Sequence, residues 1–340
     1  MSIAAERFAA QLLTGPPATS TGQVAERLLA IQAQDPRGAR LAVRARSRGV
    51  HSSDVDRALD ERCLVITTLN RGTLHLVRTE DYWMLQQLTT PPLLTGSSRR
   101  LMQEGVPPDD ADRGVAIIEK LVSDGPKTRA QLREAIAAAG IRVEGQAFIH
   151  QVYRASLEGL IVRGPMVGNE HAFVLVRDWL GTPPKPDRDA ALRELGRRYL
   201  IGHGPADARD LARWAGVTLG DARKALTGAG VERPDGLLEA RGARPVDELP
   251  PPRLLGAFEP VLLGWTSRTA ILDGDQTLVT NNGIFKPFAL VDGVAVGSWG
   301  YAAGKVTLTP FRTLSVSVTS ALAAEAAEVE AFLKPTKGAT

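Results

Sequence analysis

Two glutamines separated by one residue, Gln32 and Gln34, are the residues whose type and spacing bear most directly on chemistry. They follow an amphipathic stretch and precede Pro36, whose ring disfavours helical backbone at Asp35. In an extended segment, side chains at i and i+2 point the same way, so both carboxamides project together while Ala33 faces inward. Convergent amides offer donors and acceptors that can hold a water molecule or a sugar oxygen. The alternative is two ordinary glutamines at a frayed helix end.

A run of arginines without any acidic residue follows this segment. Its members are Arg37, Arg40, Arg44, Arg46 and Arg48. Arginine can bind a phosphate through two parallel hydrogen bonds, and a local basic strip is typical of a nucleic-acid-binding surface. The same run also suits a solvated basic face. We predict DNA contacts from Arg37, Arg40 and Arg44.

Composition excludes several classes of protein. The chain has 340 residues, of which 44% are hydrophobic and 23% charged, which is typical of a globular protein. Its apolar stretches are too short to span a membrane, its start does not have the pattern of a signal peptide, and its one cysteine, Cys63, cannot form an internal disulfide. We therefore expect a cytoplasmic protein with no membrane partner. Cys63 precedes an apolar run and is interpreted as a core thiol.

Motifs for metals and nucleotides are missing from the sequence. The five histidines form no HExxH pattern and no cluster with cysteine, so we expect no metal site. The glycines before Lys305 do not fit a P-loop, because the spacing is one residue short and Val306 replaces the required Ser or Thr. We therefore expect no cofactor.

An internal repeat predicts the elements that position these residues. Gly125-Pro126 and Gly204-Pro205 are each preceded by a helical pattern and followed, six residues after the proline, by a leucine, Leu132 or Leu211. Thr128 with Gln131 predicts a capping box at the start of the next helix. In the first copy a third helix over 145–158 and two strands, Leu160–Arg163 and Ala172–Val176, complete the pattern of a winged helix. The second copy, 187–245, repeats the helices and has a wing near Leu237–Glu239.

The N-terminal third follows the same plan. Ser20 with Gln23 caps a predicted helix, and two strands, Leu64–Ile66 and Leu74–Val77, meet through Asn70–Gly72. Because wings contact phosphates or enter the minor groove, we predict DNA contacts from Arg71 at the wing tip and from His75. His75 lies in an apolar strand and suits a core position equally well.

After a proline-rich linker, Pro245–Pro252, the pattern becomes β. We predict strands at Thr269–Leu272, Leu278–Thr280, Phe288–Val291, Val294–Trp299, Val306–Leu308 and Leu314–Val318, then a helix over 320–333. Asp292-Gly293 is a strong two-residue hairpin signal. The predicted fold class is α+β, with three tandem winged-helix (helix-turn-helix) units and a small C-terminal β-barrel. The predicted segments are 1–110, 111–180, 187–245 and 253–340.

Four motifs in the chain resemble the AlkZ-like family of winged-helix DNA glycosylases, relatives of an azinomycin-resistance glycosylase. The motifs are Ile31–Arg37, Asn70–Val77, Leu254–Trp265 and Asn282–Trp299. The resemblance implies three tandem winged helices that form a concave basic surface, a β-barrel, and a catalytic Gln-x-Gln motif, which falls on Gln32 and Gln34. Family members often have Phe-Asp-Glu-Tyr where this chain has Phe258, Glu259, Pro260 and Val261.

The resemblance also implies the reaction, which is hydrolysis of the N-glycosidic bond of N7- or N3-alkylated purines, bulky adducts and interstrand crosslinks included. We expect a monofunctional, monomeric enzyme that acts on double-stranded DNA in repair or in antibiotic self-resistance and associates with the nucleoid when bound. Gln34 is assigned to the water, Gln32 to the sugar or the same water, and Asp35 to possible catalytic support. The main alternative is a non-catalytic winged-helix protein, either a transcription regulator or an adduct-shielding factor. A second alternative is a protein that sequesters the toxin itself.

Overall fold

The structure is a computed structural model that describes residues 2–168, 170–185, 187–274 and 277–334. The predicted turn at Asn169 and the last residues of the fourth predicted segment, 335–340, lie outside the described residues. None of the described helices is long and apolar enough to cross a membrane.

Short helices, strands and hairpins form the first part of the chain. In order they are α1 (Ile3–Ala10), α2 (Thr21–Leu28), β1 (Ile31–Gln32), α3 (Pro36–Arg44), α4 (Ser52–Asp60), β2 (Leu64–Leu69), β3 (Thr73–Arg78), α5 (Thr79–Thr89), α6 (Pro91–Gln103), α7 (Pro108–Val122), α8 (Arg129–Ala138), α9 (Ala147–Leu157), β4 (Ile161–Val167), β5 (Glu170–Leu175) and α10 (Val176–Leu180).

The second part contains fewer long helices and more strands. In order it has α11 (Arg188–His203), α12 (Ala208–Ala215), α13 (Leu219–Leu226), β6 (Gly230–Glu232), β7 (Leu238–Ala240), β8 (Arg253–Leu255), α14 (Pro260–Leu263), α15 (Thr269–Leu272), β9 (Phe288–Val291), β10 (Val294–Ala302), β11 (Lys305–Pro310) and α16 (Val316–Leu333).

The chain divides into two compact units. Unit 1 consists of the described residues within Met1–Val55, Arg193–Trp214 and Thr218–Thr340, and unit 2 of those within Asp56–Leu192 and Ala215–Val217. These bounds differ from those of the four predicted segments. The division into three tandem winged helices and a barrel therefore stays a prediction, although most of its individual helices and hairpins are confirmed.

Unit 2 has an antiparallel sheet in which β3, β2, β4 and β5 pair in that order. The β2–β3 and β4–β5 hairpins are those predicted from the sequence, but their pairing through Ile66 and Arg163 was not. The helices α7, α8 and α9 bury a continuous apolar cluster that includes Ile118, Leu132 and Phe148. Thr128 and Gln131 form the predicted capping box that begins α8.

Unit 1 has a second antiparallel sheet, in which β11, β10, β9 and β8 pair in that order. Asp292 and Gly293, both with positive φ, form the predicted two-residue turn between β9 and β10. Helix α16 packs on this sheet through Leu322, Val329 and Phe332. Among the described residues the sheet is open, so the closed β-barrel stays a prediction. Together the two sheets and their helices give a mixed α+β fold, as predicted.

Three predicted strands of the C-terminal region are wrong. The segment Thr269–Leu272 is the short helix α15, because four apolar and β-branched residues carry no periodicity that separates strand from helix. The segment Leu314–Val318 becomes the start of α16, because the Ser315 side chain accepts a hydrogen bond from the Val318 amide and caps that helix. The segment Leu278–Thr280 forms only an isolated bridge, from Val279 to Phe285.

Cys63 is exposed, so its interpretation as a core thiol is also wrong. Strand β2 begins one residue later, at Leu64, which is buried. The backbone of Cys63 instead ends the turn after α4, where its amide bonds the Ala58 carbonyl at 2.9 Å.

Candidate active site

The Gln-x-Gln segment connects two helices of unit 1. Helix α2 ends at Leu28, and Leu29, with φ of 63°, turns the chain into the two-residue strand β1. The chain then bends at Gln34 and Asp35 before α3 begins at Pro36. The predicted extended backbone is confirmed at Ile31 and Gln32, which form β1, and at Asp35, whose φ of −109° and ψ of 112° are extended.

The two glutamines have different environments. Gln32 is 7% exposed, and its Oε1 is buried without a hydrogen-bond partner among the residues that the structure describes. Gln34 is exposed, and Ala33 between them is buried, as predicted. A buried oxygen without a partner costs about 1–3 kcal/mol of folding free energy. Such a group calls for an explanation, and a catalytic role is one of those that native proteins show.

Asp35 is the N-cap of α3. Its Oδ1 accepts hydrogen bonds from the amides of Arg37 at 2.8 Å and Gly38 at 3.0 Å, and Pro36 occupies the first helical position. Asp and Pro are favoured at these two positions, so the local sequence favours a helix that begins at Pro36. Both described hydrogen bonds use one carboxylate oxygen, and the other remains available for chemistry.

The first turn of α3 packs directly against the segment that precedes α14. A Cβ atom on Gly38 would clash with the Ala257 carbonyl, and one on Gly256 would lie 2.9 Å from the Gly38 α carbon. Two glycines are therefore needed for this close approach. The contact brings the start of α3 next to the segment that contains Gly256 and Ala257, which the sequence alone did not reveal.

Arg46 is turned into the interior of unit 1. Its guanidinium pairs with Glu259, and both side chains are 0% exposed. Arg46 also donates to the Ala42 carbonyl at 2.9 Å and to Gln11 Oε1 at 3.0 Å. The arginine run is therefore not one solvated face, since its fourth member supports the core beside α3.

Arg44 is part of an ion-pair network and does not form the free phosphate contact predicted for it. Its two terminal nitrogens donate to Glu325 at 2.8 and 3.1 Å, and one of them pairs with Glu328 at 2.9 Å. Glu325 is 4% exposed and also accepts from Arg253 and from the Leu254 amide. The carboxylates of α16 neutralise Arg44 and bind α3 to that helix.

Arg37 and Arg40 lie nearer to solvent. Arg37 is exposed, and its guanidinium lies over the Tyr301 ring at 5.2 Å. Arg40 is half-buried and donates to the Pro36 carbonyl at 2.9 Å. Arg37 thus has the most accessible charge of the three arginines that we predicted to contact DNA from α3.

The β2–β3 hairpin of unit 2 holds the other two predicted DNA contacts. Arg71 is half-buried in the turn with φ of 59°, an uncommon conformation for a residue other than glycine. Asn70 beside it is 0% exposed, and neither end of its carboxamide has a hydrogen-bond partner among the described residues. Sequence reasoning missed Asn70 because its type is ordinary in a turn.

The structure places His75 in the interior, which corrects its assignment to the DNA surface. Its side chain is 3% exposed, and its Nδ1 lies 2.9 Å from the Thr73 carbonyl. Burial lowers the pKa of His75 to about 4, although the Thr73 contact opposes this shift. The ring is therefore neutral near pH 7 and cannot reach a phosphate from its position.

Comparisons with known proteins show the family to which this chain belongs. The sequence model described as "DNA glycosylase AlkZ-like" matches residues 25–332, which include the Gln-x-Gln segment and the α3 contacts. The chain belongs to the AlkZ-like DNA glycosylase family. It is therefore an enzyme, a DNA glycosylase, as the four motifs predicted.

Individual members of the AlkZ-like family are similar to this chain over nearly its whole length. An "Interstrand DNA cross-link repair glycosylase" of Streptomyces sahachiroi is 27% identical over 352 residues, which cover 95% of this chain and 93% of that protein. The solved structure "Streptomyces sahachiroi DNA glycosylase AlkZ" matches with a TM-score of 0.76 at 24% identity, over 97% of this chain and 96% of that one. The second comparison shows the shared fold.

The described residues contain no group of three or more His, Cys, Asp or Glu side chains that could hold a metal ion. The side chains of the Gln-x-Gln segment are carboxamides and one carboxylate. Such groups suit the positioning of water and sugar oxygens by hydrogen bonds.

The burial of His75 predicts a pH dependence of stability. The unfolded pKa is about 6.5 and the folded pKa about 4, so the unfolded chain takes up the proton first as the pH falls. This contribution to stability is complete above pH 6.5 and declines toward pH 4. When the pH falls from 7 to 5, the free energy of unfolding of the wild-type chain should decrease by about 2 kcal/mol more than that of His75→Gln. Chemical denaturation at the two pH values measures both decreases.

The variant serves as the internal control for other titrating groups. Burial also lowers the pKa of His203 to about 3, but that loss is common to both proteins. Equal losses in wild type and His75→Gln would contradict the burial of His75.

Proposed function

We propose that this glycosylase hydrolyses the N-glycosidic bond of N7- or N3-alkylated purines in double-stranded DNA, bulky adducts and interstrand crosslinks included. The observation that carries the proposal is the buried, unpartnered carboxamide oxygen of Gln32 two residues from the exposed Gln34, in a chain of the AlkZ-like family. The name of the Streptomyces sahachiroi relative supports crosslinked DNA as a substrate.

The reaction requires little general-acid catalysis from the enzyme. Alkylation at N7 or N3 makes the purine cationic, so the C1′–N bond breaks with its electron pair passing to the base. The enzyme has to stabilise an oxocarbenium-like sugar and direct water to C1′. We assign the orientation of the water to Gln34 and a hydrogen bond to the sugar or to that water to Gln32.

Asp35 is the proposed supporting residue. When water adds to C1′ it releases one proton, which a neutral carboxamide does not keep. The Asp35 oxygen that takes no part in capping α3 is the nearest carboxylate along the chain, and it suits transient acceptance of that proton.

The proposed DNA contacts are Arg37, Arg40 and Arg71. Arg44 and His75 leave the set, because one is neutralised by Glu325 and the other is buried. The three tandem winged helices, the β-barrel and a monomeric state remain part of the proposal. The enzyme is further proposed to be monofunctional, since no lysine precedes Lys120 in the chain and a Schiff base needs a lysine amine beside the sugar.

The test is incubation with duplexes that each carry one alkyl-purine adduct, among them N7-alkylguanine, N3-alkyladenine and an N7-linked crosslink. Alkali treatment then reveals abasic sites. We expect strand cleavage only after alkali and no covalent complex after borohydride reduction. An undamaged duplex is the matched control. Absence of abasic sites on every adduct would refute the proposal and favour a non-catalytic DNA-binding role.

A further inference from the structure

A row of side chains crosses one face of the unit 2 sheet. Arg163 of β4 lies opposite Ile66 of β2 and Phe173 of β5, and Lys127 pairs with Phe173 from the other side through backbone hydrogen bonds of 3.0 and 2.8 Å. Residues directly opposite in antiparallel pairs share a face, and adjacent strands are about 4.8 Å apart. Arg163 and Lys127 therefore flank Phe173 on one face, with their α carbons about 10 Å apart.

A third cation joins this row. Arg129 is the first residue of α8 and lies over the Phe148 ring at 5.6 Å, while Arg163 lies over the Phe173 ring at 5.4 Å. The two rings belong to one apolar cluster. Burial lowers the pKa of Arg163, and the charge of Arg129 lowers it further, while Glu170 acts in the opposite direction. The two guanidinium groups are thus close enough to repel each other.

The three cations have no carboxylate at salt-bridge distance among the residues that the structure describes. Other arginines of the same unit do, since Arg154 pairs with Asp112 and Glu158, and Arg177 with Glu119. Like charges held together with no carboxylate at salt-bridge distance cost folding free energy. The arrangement is therefore the one expected where an anionic ligand supplies the missing charge.

We propose that Lys127, Arg129 and Arg163 bind a phosphate of the DNA backbone. The guanidinium of Arg163 donates to the phosphate oxygens from its platform on Phe173, and Lys127 and Arg129 approach from the adjoining edge. The positive end of the α8 dipole adds to the attraction. The proposal rests on the proposed function only in taking DNA as the source of the phosphate.

The test is binding to an undamaged duplex, so it does not depend on base excision. Arg163→Met keeps an apolar side chain over Phe173 and removes the charge. We expect about tenfold weaker binding at low salt and a salt-dependence slope lower by about one unit. Because a repelled charge is removed, the free energy of unfolding should stay the same or rise, whereas a structural role predicts a fall.

Two further variants test whether the change in DNA binding comes from this site. Arg177→Met removes a paired, exposed arginine of the same unit and should leave the salt slope unchanged. Lys127→Gln/Arg129→Gln leaves the sheet core intact and should also lower the slope by about one unit, because the three cations share one phosphate. An unchanged slope in this double variant, or an equal loss of affinity in Arg177→Met, would overturn the proposal.

Free inorganic phosphate is the alternative ligand for this site. Inorganic phosphate is titrated into wild type and into the double variant, and the melting temperature is followed. If phosphate stabilises only wild type while both proteins bind DNA with the same salt slope, the site holds a free anion and the assignment to DNA is wrong.

Discussion

Replacing Glu259 by leucine should lower the free energy of unfolding by about 3 to 5 kcal/mol, the usual cost of leaving a buried charge without its partner. Arg46 and Glu259 are both 0% exposed, so water cannot replace the lost carboxylate. The double variant Arg46→Met/Glu259→Leu should recover most of the loss, because it removes both charges. Chemical denaturation of the wild type, both single variants and the double variant measures the coupling.

The matched control is Glu328→Gln, whose carboxylate also pairs with an arginine but is 71% exposed. Solvent screens that pair, and we expect a change within about 0.5 kcal/mol. Additive losses in the Arg46–Glu259 cycle would mean that the two groups do not depend on each other. That result would contradict a stabilising interaction between Arg46 and Glu259.

Gln34→Ala should reduce single-turnover excision by about two to three orders of magnitude, the usual effect of removing one group that stabilises a transition state. The side chain is exposed and lies in a bend, so stability and DNA affinity should change little. Gln146→Ala alters an exposed glutamine of unit 2 and should excise at the wild-type rate. Excision by Gln34→Ala within about threefold of wild type would remove Gln34 from the mechanism.

Local signals in the sequence predicted the elements well. The caps at Ser20 and Thr128 and the Asp292-Gly293 turn depend on a few adjacent residues, and the structure has all of them. The pairing of β2 with β4 depends on residues about a hundred positions apart, and no local pattern encodes it. The predicted strand at Thr269–Leu272 is a helix in the structure. Four residues are too few to show whether the apolar pattern has the period of a strand or of a helix.

The catalytic roles of Gln32 and Gln34 stay a prediction from residue type and spacing. The non-helical backbone at Asp35 follows from Pro36, whereas the helix that begins at Pro36 was not predicted. The roles of Arg44 and Arg46 could not be predicted, because their partners Glu325 and Glu259 lie more than two hundred residues away. The burial of His75 likewise depends on tertiary packing around β3, which no local pattern encodes.

The most direct measurement of the proposed chemistry is single-turnover excision by Gln32→Ala/Gln34→Ala on a duplex with one N7-alkylguanine. Enzyme is present in excess, and DNA binding is measured in parallel. We expect the double variant to bind the duplex with wild-type affinity and to release no base above the spontaneous rate. Release of the base at the wild-type rate would contradict the assignment of catalysis to these two carboxamides.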